Sequence, residues 1–242
     1  MCTVSWCIQP NGYTLFFNRD ESRQRELALA PEADELKETK FLSPKDPQGG
    51  GTWLLVNEHG ISLGLLNYYE AEVFYQPTHR QSRGQLPLKF SNCSSLAEVE
   101  TALNKEGFTP YPPFHFLSIE ASGKAMLLTW DGKEKQSSYI GASDLPLSTS
   151  SFKTDEVLAA RRNHFAKTVA KAEDQVAAME SFHTSPQPEP STYSTLMTRP
   201  DAKTMSICKI DVDGSAVTMN YRARPDDTVL LEPSIIVTLP RA

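Results

Sequence analysis

The residue with the clearest potential for covalent chemistry is Cys2, which directly follows Met1. Methionine aminopeptidases accept a small second residue, so removal of Met1 would leave one residue carrying both a thiol and a free α-amine. An α-amine has a pKa of about 7.7–8.0 and can take a proton near neutrality, and a thiol is strongly nucleophilic once deprotonated. Cys2 could therefore be both nucleophile and base, although its position also suits an ordinary buried strand cysteine.

Charged residues and one amide lie where they could assist such a nucleophile. The run NRDE at 18–21 ends the second strand of a predicted hairpin, next to the start of the first strand. Arg19 would favour the thiolate, and Asp20 or Glu21 would hold the orientation of the amine. The amide of Asn67 closes an apolar strand face and could donate to a developing oxyanion, a contribution of roughly 2.7–4 kcal/mol. The alternative interpretation is that the charged run forms a solvated turn and that the Asn67 amide is hydrogen-bonded to a loop.

Repeated β-hairpins dominate the sequence and predict mainly antiparallel sheets. The paired apolar runs are 2–9 with 13–18, 52–56 with 61–69, 114–119 with 124–130, and 205–212 with 216–222. An Asn-Gly pair in the first turn is a strong hairpin signal. The first hairpin is apolar on both faces, which is typical of a sheet covered on both sides. A last strand is predicted over 228–238.

Two segments have helical patterns. Ser95 and Glu98 form a capping-box pattern that opens the first helix. The second follows Thr154, and the spacing of its apolar residues as far as Met179 predicts about seven turns. The proline-rich stretch 181–204 has no pattern and could form a loop over a cleft.

The composition limits the classes of function. The chain has 242 residues, and 24 Lys+Arg against 30 Asp+Glu give a net charge of −6 without a basic stripe, so nucleic acid is not an expected partner. No apolar run approaches the roughly 20 residues of a membrane span, and no signal-peptide core is present, so we expect a cytoplasmic protein. Scattered cysteines and histidines argue against a metal site. One α+β domain over 1–242 is the most economical arrangement.

Several sequence blocks resemble the NRDE family, also called the transport and Golgi organisation 2 family. Cys2 stands at the N-terminus, the tetrapeptide at 18–21 is intact, and the segment 50–68 matches the second block of the family. Together these blocks cover about the first 70 residues. A later segment, 139–144, resembles the Gly-Leu-Ser-Asn block of the family, with Asp144 where asparagine is usual.

The resemblance implies an N-terminal nucleophile hydrolase fold, an αββα four-layer sandwich with two mainly antiparallel sheets. It also implies kinship with the cysteine amidases of the choloylglycine hydrolase and penicillin V acylase group, in which the mature N-terminal cysteine attacks a non-peptide amide. On this sequence Cys2 would be nucleophile and base, Arg19 would tune the thiol, and Asn67 would sit in the oxyanion hole. Asp144 would take the place of a second amide donor, where an ionised carboxylate repels an oxyanion.

Functions of different classes follow from these residues. The leading prediction is a hydrolase of linear, non-peptide amides that takes a small acyl-amide substrate and needs no cofactor. The alternative is a non-catalytic trafficking protein that binds haem or a lipid or acyl group in the same cleft, with His59 or His183 as candidate haem ligands. The substitution at Asp144 and the haem and lipid associations of the family favour this alternative. A third hypothesis is that the protein is a stably folded component of an oligomer and has no small-molecule role.

Overall fold

The computed structural model of the protein describes residues 1–72, 74–75, 77–228 and 231–242. Within these ranges lie thirteen β-strands and five α-helices. The strands are β1 Cys2–Gln9, β2 Gly12–Ser22, β3 Leu29–Leu36, β4 Thr39–Lys45, β5 Leu54–Asn57, β6 Ser62–Asn67, β7 Phe114–Ile119, β8 Ala125–Trp130, β9 Lys135–Ile140, β10 Leu147–Thr149, β11 Ala202–Val212, β12 Ala216–Ala223 and β13 Ile235–Pro240. The helices are α1 Tyr69–Glu72, α2 Gln85–Lys89, α3 Leu96–Lys105, α4 Thr154–Thr168 and α5 Gln175–Thr184.

The strands form two sheets in which neighbouring strands are antiparallel. The first sheet has the order β10-β1-β2-β11-β12-β13, and the second has the order β3-β4-β5-β6-β7-β8-β9. Each named pairing runs antiparallel. The prediction of mainly antiparallel sheets, which came from the hairpin signals, is confirmed.

The sheets pack face to face, and helices cover their outer faces. A Cβ atom on Gly64 of β6 would lie 3.4 Å from the ring of Phe17 of β2, so the two backbones approach closely at this point. Helix α5 packs on β1 and β2, whereas α2 and α3 pack on the second sheet. Consecutive residues of β1 and β2 are buried, because both faces of these strands are covered. The architecture is the predicted αββα sandwich.

The single seven-turn helix predicted after residue 154 is wrong, because the structure has two helices, α4 and α5, there. The carboxylate of Asp174 accepts a hydrogen bond from the backbone N–H of Ala177 at 3.0 Å and so caps a new helix. Phe165 of α4 and Phe182 of α5 meet edge to face with ring centroids 5.2 Å apart. The apolar periodicity is therefore satisfied by two helices packed together.

The polar stretch between β2 and β5 contains a hairpin that the sequence does not predict. Strands β3 and β4 are joined through Lys37 and Glu38, which have φ angles of 50° and 67°. Two-residue hairpin turns with positive φ favour asparagine and glycine. The Lys-Glu pair therefore gives no turn signal, and the strands beside it are too polar to stand out.

The other predicted elements agree with the structure in part. Helix α3 begins after Ser95, whose hydroxyl accepts from the backbone N–H of Glu98 at 3.3 Å, as the capping pattern predicted. The predicted strand 228–238 corresponds to β13, and residues 229 and 230 lie outside the described residues. That 1–242 form one domain stays a prediction. In the described parts of the chain, no helix combines the length and apolar character needed to cross a membrane.

Candidate active site

Cys2 lines a cleft of about 630 Å³. The start of β1, the end of β2 and the end of β6 contribute to its wall, together with the segment that leads into α2. Arg19, Glu21 and Asn67 line the same cleft, so the structure brings together four of the six residues that the sequence predicts. Strand pairing explains this placement, because Cys2 and Arg19 are direct partners in the β1–β2 ladder.

The thiol of Cys2 is buried at the start of the cleft, with the residue only 7% exposed. Its backbone N–H donates to the hydroxyl of Thr149 on β10 at 3.3 Å. Burial raises the pKa of the thiol to about 11, although the positive N-terminus acts to lower it, and nearby carboxylates raise it further. With Met1 in place, the thiol is therefore protonated at neutral pH.

The hydroxyl of Tyr69 links the N-terminus to Asn67. The ammonium of Met1 donates to this hydroxyl at 2.6 Å and to the backbone carbonyl of Asp20 at 3.0 Å. The side-chain amide of Asn67 donates to the same Tyr69 hydroxyl at 2.9 Å. Burial raises the pKa of Tyr69 above its ordinary value, so the hydroxyl keeps its proton and can donate. Sequence reasoning missed Tyr69; its signal is its position two residues after Asn67, at the end of a strand that leads to the cleft.

The NRDE tetrapeptide divides its side chains between two faces of β2, as alternation along a strand requires. Arg19 and Glu21 line the cleft. The carboxylate of Asp20 instead accepts from the hydroxyl of Thr204 at 2.6 Å and from the guanidinium of Arg161 on α4 at 3.4 Å. Only the backbone carbonyl of Asp20 reaches the N-terminus, so its carboxylate belongs to the helix side of the sheet.

Asp46 holds the guanidinium of Arg19 in the cleft. Nη2 of Arg19 donates to the Asp46 carboxylate at 2.9 Å, and the guanidinium of Arg25 donates to the same oxygen at 2.6 Å. Burial opposes ionisation of Asp46, but these cations and a backbone N–H keep the pKa of its carboxyl below the usual value. The guanidinium carbon of Arg19 also lies 4.4 Å from the ring centroid of Trp53. A carboxylate oxygen of Glu21 lies 3.8 Å from Nη2 of Arg19. The sequence pattern did not point to Asp46.

Asp144 is not brought to this cleft. It lies in a short 3₁₀ turn, where its carboxylate accepts from the backbone N–H of Gly141 at 2.8 Å. It lines a separate cavity of about 160 Å³ together with His115 and Arg162. Asn67 and Tyr69, by contrast, line the same cleft as Cys2.

Comparison with known proteins places the chain in a family. The family model described as transport and Golgi organisation 2 matches residues 1–232. The chain belongs to this family. A comparison with curated protein sequences finds no significant match.

Solved structures with the same fold are similar to this member of the transport and Golgi organisation 2 family. Penicillin V acylase from Agrobacterium tumefaciens aligns with a TM-score of 0.55 at 13% identity, covering 92% of this chain and 83% of that chain. A mutant of the conjugated bile acid hydrolase from Clostridium perfringens gives 0.63 at 11% identity, covering 99% and 92%. A Caenorhabditis elegans orthologue of N-acylethanolamine-hydrolyzing acid amidase gives 0.57 at 8% identity, covering 87% and 92%. These similarities confirm the N-terminal nucleophile hydrolase fold.

Behind the cleft, a buried polar network holds α5 against the first sheet of this family member. The side-chain amide of Asn18 donates to the carbonyls of His183 at 2.8 Å and Thr195 at 2.9 Å. Its oxygen lies 2.7 Å from Nδ1 of His183, which therefore donates. Nε2 of His183 then accepts from the hydroxyl of Ser5 at 2.8 Å. The first residue of the NRDE tetrapeptide is thus a structural anchor.

Acid is expected to destabilise the fold through His183. Burial, with a smaller effect of the charge on Arg161, lowers the pKa of His183 from 6.5 to about 3. Because the unfolded chain binds the proton more readily, the stabilisation is complete above pH 6.5 and is lost progressively toward pH 3. We expect a loss of roughly 2–3 kcal/mol in the free energy of unfolding by about pH 4.5, measured by urea denaturation.

The variant His183→Gln tests this expectation, because it removes the titrating group. The dependence of stability on pH between 6.5 and 4.5 should become shallower, even though stability at neutral pH falls. His115→Gln should flatten the dependence by a similar amount over this range, since burial lowers the pKa of His115 to about 4, below the lower end of the range. An unchanged slope in His183→Gln would contradict the assignment.

Proposed function

We propose that the protein hydrolyses non-peptide amide bonds with the thiol of Cys2 as nucleophile, after removal of Met1. The observation that carries the proposal is the meeting of Cys2, Asn67 and Tyr69 with the N-terminus at one cleft. The fold shared with amidases supports it. All four cysteines are free, which suits the reducing cytoplasm in which we propose that it acts.

The reaction would begin at the nitrogen of Cys2, which becomes the free α-amine when Met1 is removed. The amine takes the thiol proton, the sulfur forms a bond to the amide carbonyl carbon, and the π electrons move to the carbonyl oxygen. The C–N bond then breaks, and the ammonium gives its proton to the departing nitrogen, which leaves a thioester. The same amine next deprotonates water, whose attack releases the carboxylic acid and restores the Cys2 thiol.

Two donors are available for the oxyanion of this reaction. The side-chain amide of Asn67 and the hydroxyl of Tyr69 lie 2.9 Å apart and both line the cleft. Removal of Met1 takes away the ammonium that donates to the Tyr69 hydroxyl, so this hydroxyl can turn toward the oxyanion. Glu21 is the neighbouring carboxylate within the cleft, so we assign orientation of the amine to Glu21. Asp144 has no role in this proposal.

Non-catalytic binding is the second candidate, and the state of the Met1-bearing chain favours it. In that state, the pKa of the Cys2 thiol is about 11 and the α-amine lies on Met1, bound to Tyr69. The cleft would then bind a small acyl ligand without cleaving it. Haem does not fit these residues, because both ring nitrogens of His183 are hydrogen-bonded in a buried network. No histidine is among the described residues that line the cleft.

Comparison of the Met1-bearing and Met1-free proteins, identified by intact mass, tests the proposal. At pH 7.5, iodoacetamide should modify Cys2 at least about tenfold faster in the Met1-free protein, because the adjacent amine accepts the thiol proton. Only this form should hydrolyse members of a panel of N-acyl amides. Cys7→Ala is the control, since Cys7 is a buried cysteine later in the same strand and outside the cleft lining. A Met1-free protein that shows neither labelling of Cys2 nor turnover would overturn the proposal.

A further inference from the structure

The cleft beside Cys2 is lined mainly by charged and polar groups rather than hydrocarbon. Four arginines and three carboxylates line it, so the lining carries one more positive than negative charge. The arginines are Arg19, Arg25, Arg80 and Arg83. The larger apolar contributions come from Trp53, Leu65 and Pro112. This is not the apolar tunnel that a long acyl chain would require, and the charge balance favours an anionic ligand.

Carboxylates in the cleft are shared between pairs of cations. Asp46 accepts from both Arg19 and Arg25. Elsewhere in the lining, a carboxylate oxygen of Glu72 lies 2.9 Å from Arg80 and the other lies 3.4 Å from Arg83. One carboxylate cannot fully balance two guanidinium groups, so the Arg80–Arg83 pair retains capacity to bind a further anion. At the Arg19–Arg25 pair, Glu21 lies 3.8 Å from Arg19 and adds a second carboxylate.

Two buried donors in the cleft lack an acceptor among the described residues. They are Nη1 of Arg19 and Nε1 of Trp53. Arg19 is 3% exposed and Trp53 is 6% exposed, and their side chains stack on one another. Buried donors almost always have a hydrogen-bond partner, because leaving one unpaired costs about 1–3 kcal/mol. Two neighbouring unpaired donors in a cleft lining therefore indicate a ligand with acceptor oxygens.

We infer that the cleft selects amides with a carboxylate next to the scissile bond, namely N-acyl amino acids, and that Arg19 and Trp53 bind this carboxylate. The inference rests on the proposed function for the identity of the amide. Cys2 and Arg19 are cross-strand partners, whose Cβ atoms lie about 4.5–5.5 Å apart. In an N-acyl amino acid the carboxylate is separated from the amide nitrogen by a single carbon. Attack by Cys2 therefore brings the carboxylate next to Arg19, where its two oxygens can meet the two donors.

Calorimetric titration of the Cys2→Ala protein tests the inference, because a substrate can bind to this variant without cleavage. The ligands are N-phenylacetylglycine and its neutral carboxamide. The carboxylate should bind about tenfold more tightly, as expected for hydrogen bonds to a charged group. Trp53→Phe, made in the same background, keeps the stacking ring and removes Nε1, and it should reduce this preference to about threefold or less. Lys171→Gln removes an exposed charge outside the cleft lining and should leave the preference unchanged.

Equal affinity for the two ligands, no binding of either, or a preference that Trp53→Phe does not reduce would each overturn the inference. Hydrolysis by the unmutated Met1-free protein separates this result from the proposed function. A charge preference without hydrolysis would retain the carboxylate site and remove the catalytic proposal. Hydrolysis without a charge preference would retain the catalytic proposal and remove the carboxylate site.

Discussion

Cys2→Ala is expected to lower kcat for amide hydrolysis by about 10⁴-fold or more, because the substitution removes the only group that forms the covalent intermediate. The side chain lies at the start of a buried strand, and alanine is accommodated there without a new polar group. The variant should therefore fold and bind substrate while failing to turn it over. The measurement is the rate of acid release by Met1-free protein under saturating substrate.

Cys7→Ala is the matched control for this effect. Cys7 is a second buried thiol in β1 and lies outside the cleft lining, so its loss should change kcat by less than about threefold. Both variants should be compared by thermal unfolding to show that they remain folded. If Cys2→Ala retains a tenth of the original rate, the thiol is not the nucleophile.

Local turn chemistry explains which parts of the fold could be predicted from sequence. The Asn-Gly signal at residues 11–12 predicts the β1–β2 hairpin. In the structure Gln9 pairs with Gly12, so the turn lies at residues 10 and 11, and this register places Cys2 opposite Arg19. The β3–β4 hairpin escapes prediction because its turn is formed by Lys37 and Glu38 in positive φ. The break between α4 and α5 also escapes prediction, because apolar spacing alone cannot distinguish one long helix from two packed helices.

Residues of the candidate site divide in the same way. Cys2 and Arg19 meet through a local hairpin, and this pair could be anticipated. Asp46 comes to the cleft through the packing of a separate segment, and nothing in its immediate sequence marks it. Tyr69 is marked only by its position two residues after Asn67, and its contact with the N-terminus depends on packing between distant segments. For Asp144, the resemblance supplied a role, but the structure places its carboxylate at a separate cavity. The part of the site that could not be predicted from the sequence is therefore the part that depends on contacts between distant segments.

Asp20→Ala is expected to lower the free energy of unfolding by about 3–5 kcal/mol, because it leaves Arg161 as an unpaired buried charge. Both side chains are fully buried, and their closest atoms lie 3.4 Å apart. Arg161 also donates to the hydroxyl of Thr3 at 2.6 Å and to the carbonyl of Ser194 at 2.8 Å, so it cannot turn toward solvent without losing these bonds. The measurement is urea denaturation at pH 7.

A double variant and a variant of an exposed ion pair test whether the unpaired charge causes this loss of stability. Replacing both partners, as Asp20→Leu with Arg161→Met, should recover at least about half of the lost stability, since no uncompensated charge remains. Asp227→Ala breaks an exposed pair with Arg23, whose atoms lie 2.7 Å apart, and should cost less than about 1 kcal/mol. If Asp20→Ala costs no more than Asp227→Ala, then the buried pair with Arg161 does not stabilise the fold. A larger cost for Asp20→Ala would show that the adjacent acids have different roles. Asp20 holds α4 on the sheet, whereas Glu21 faces the cleft.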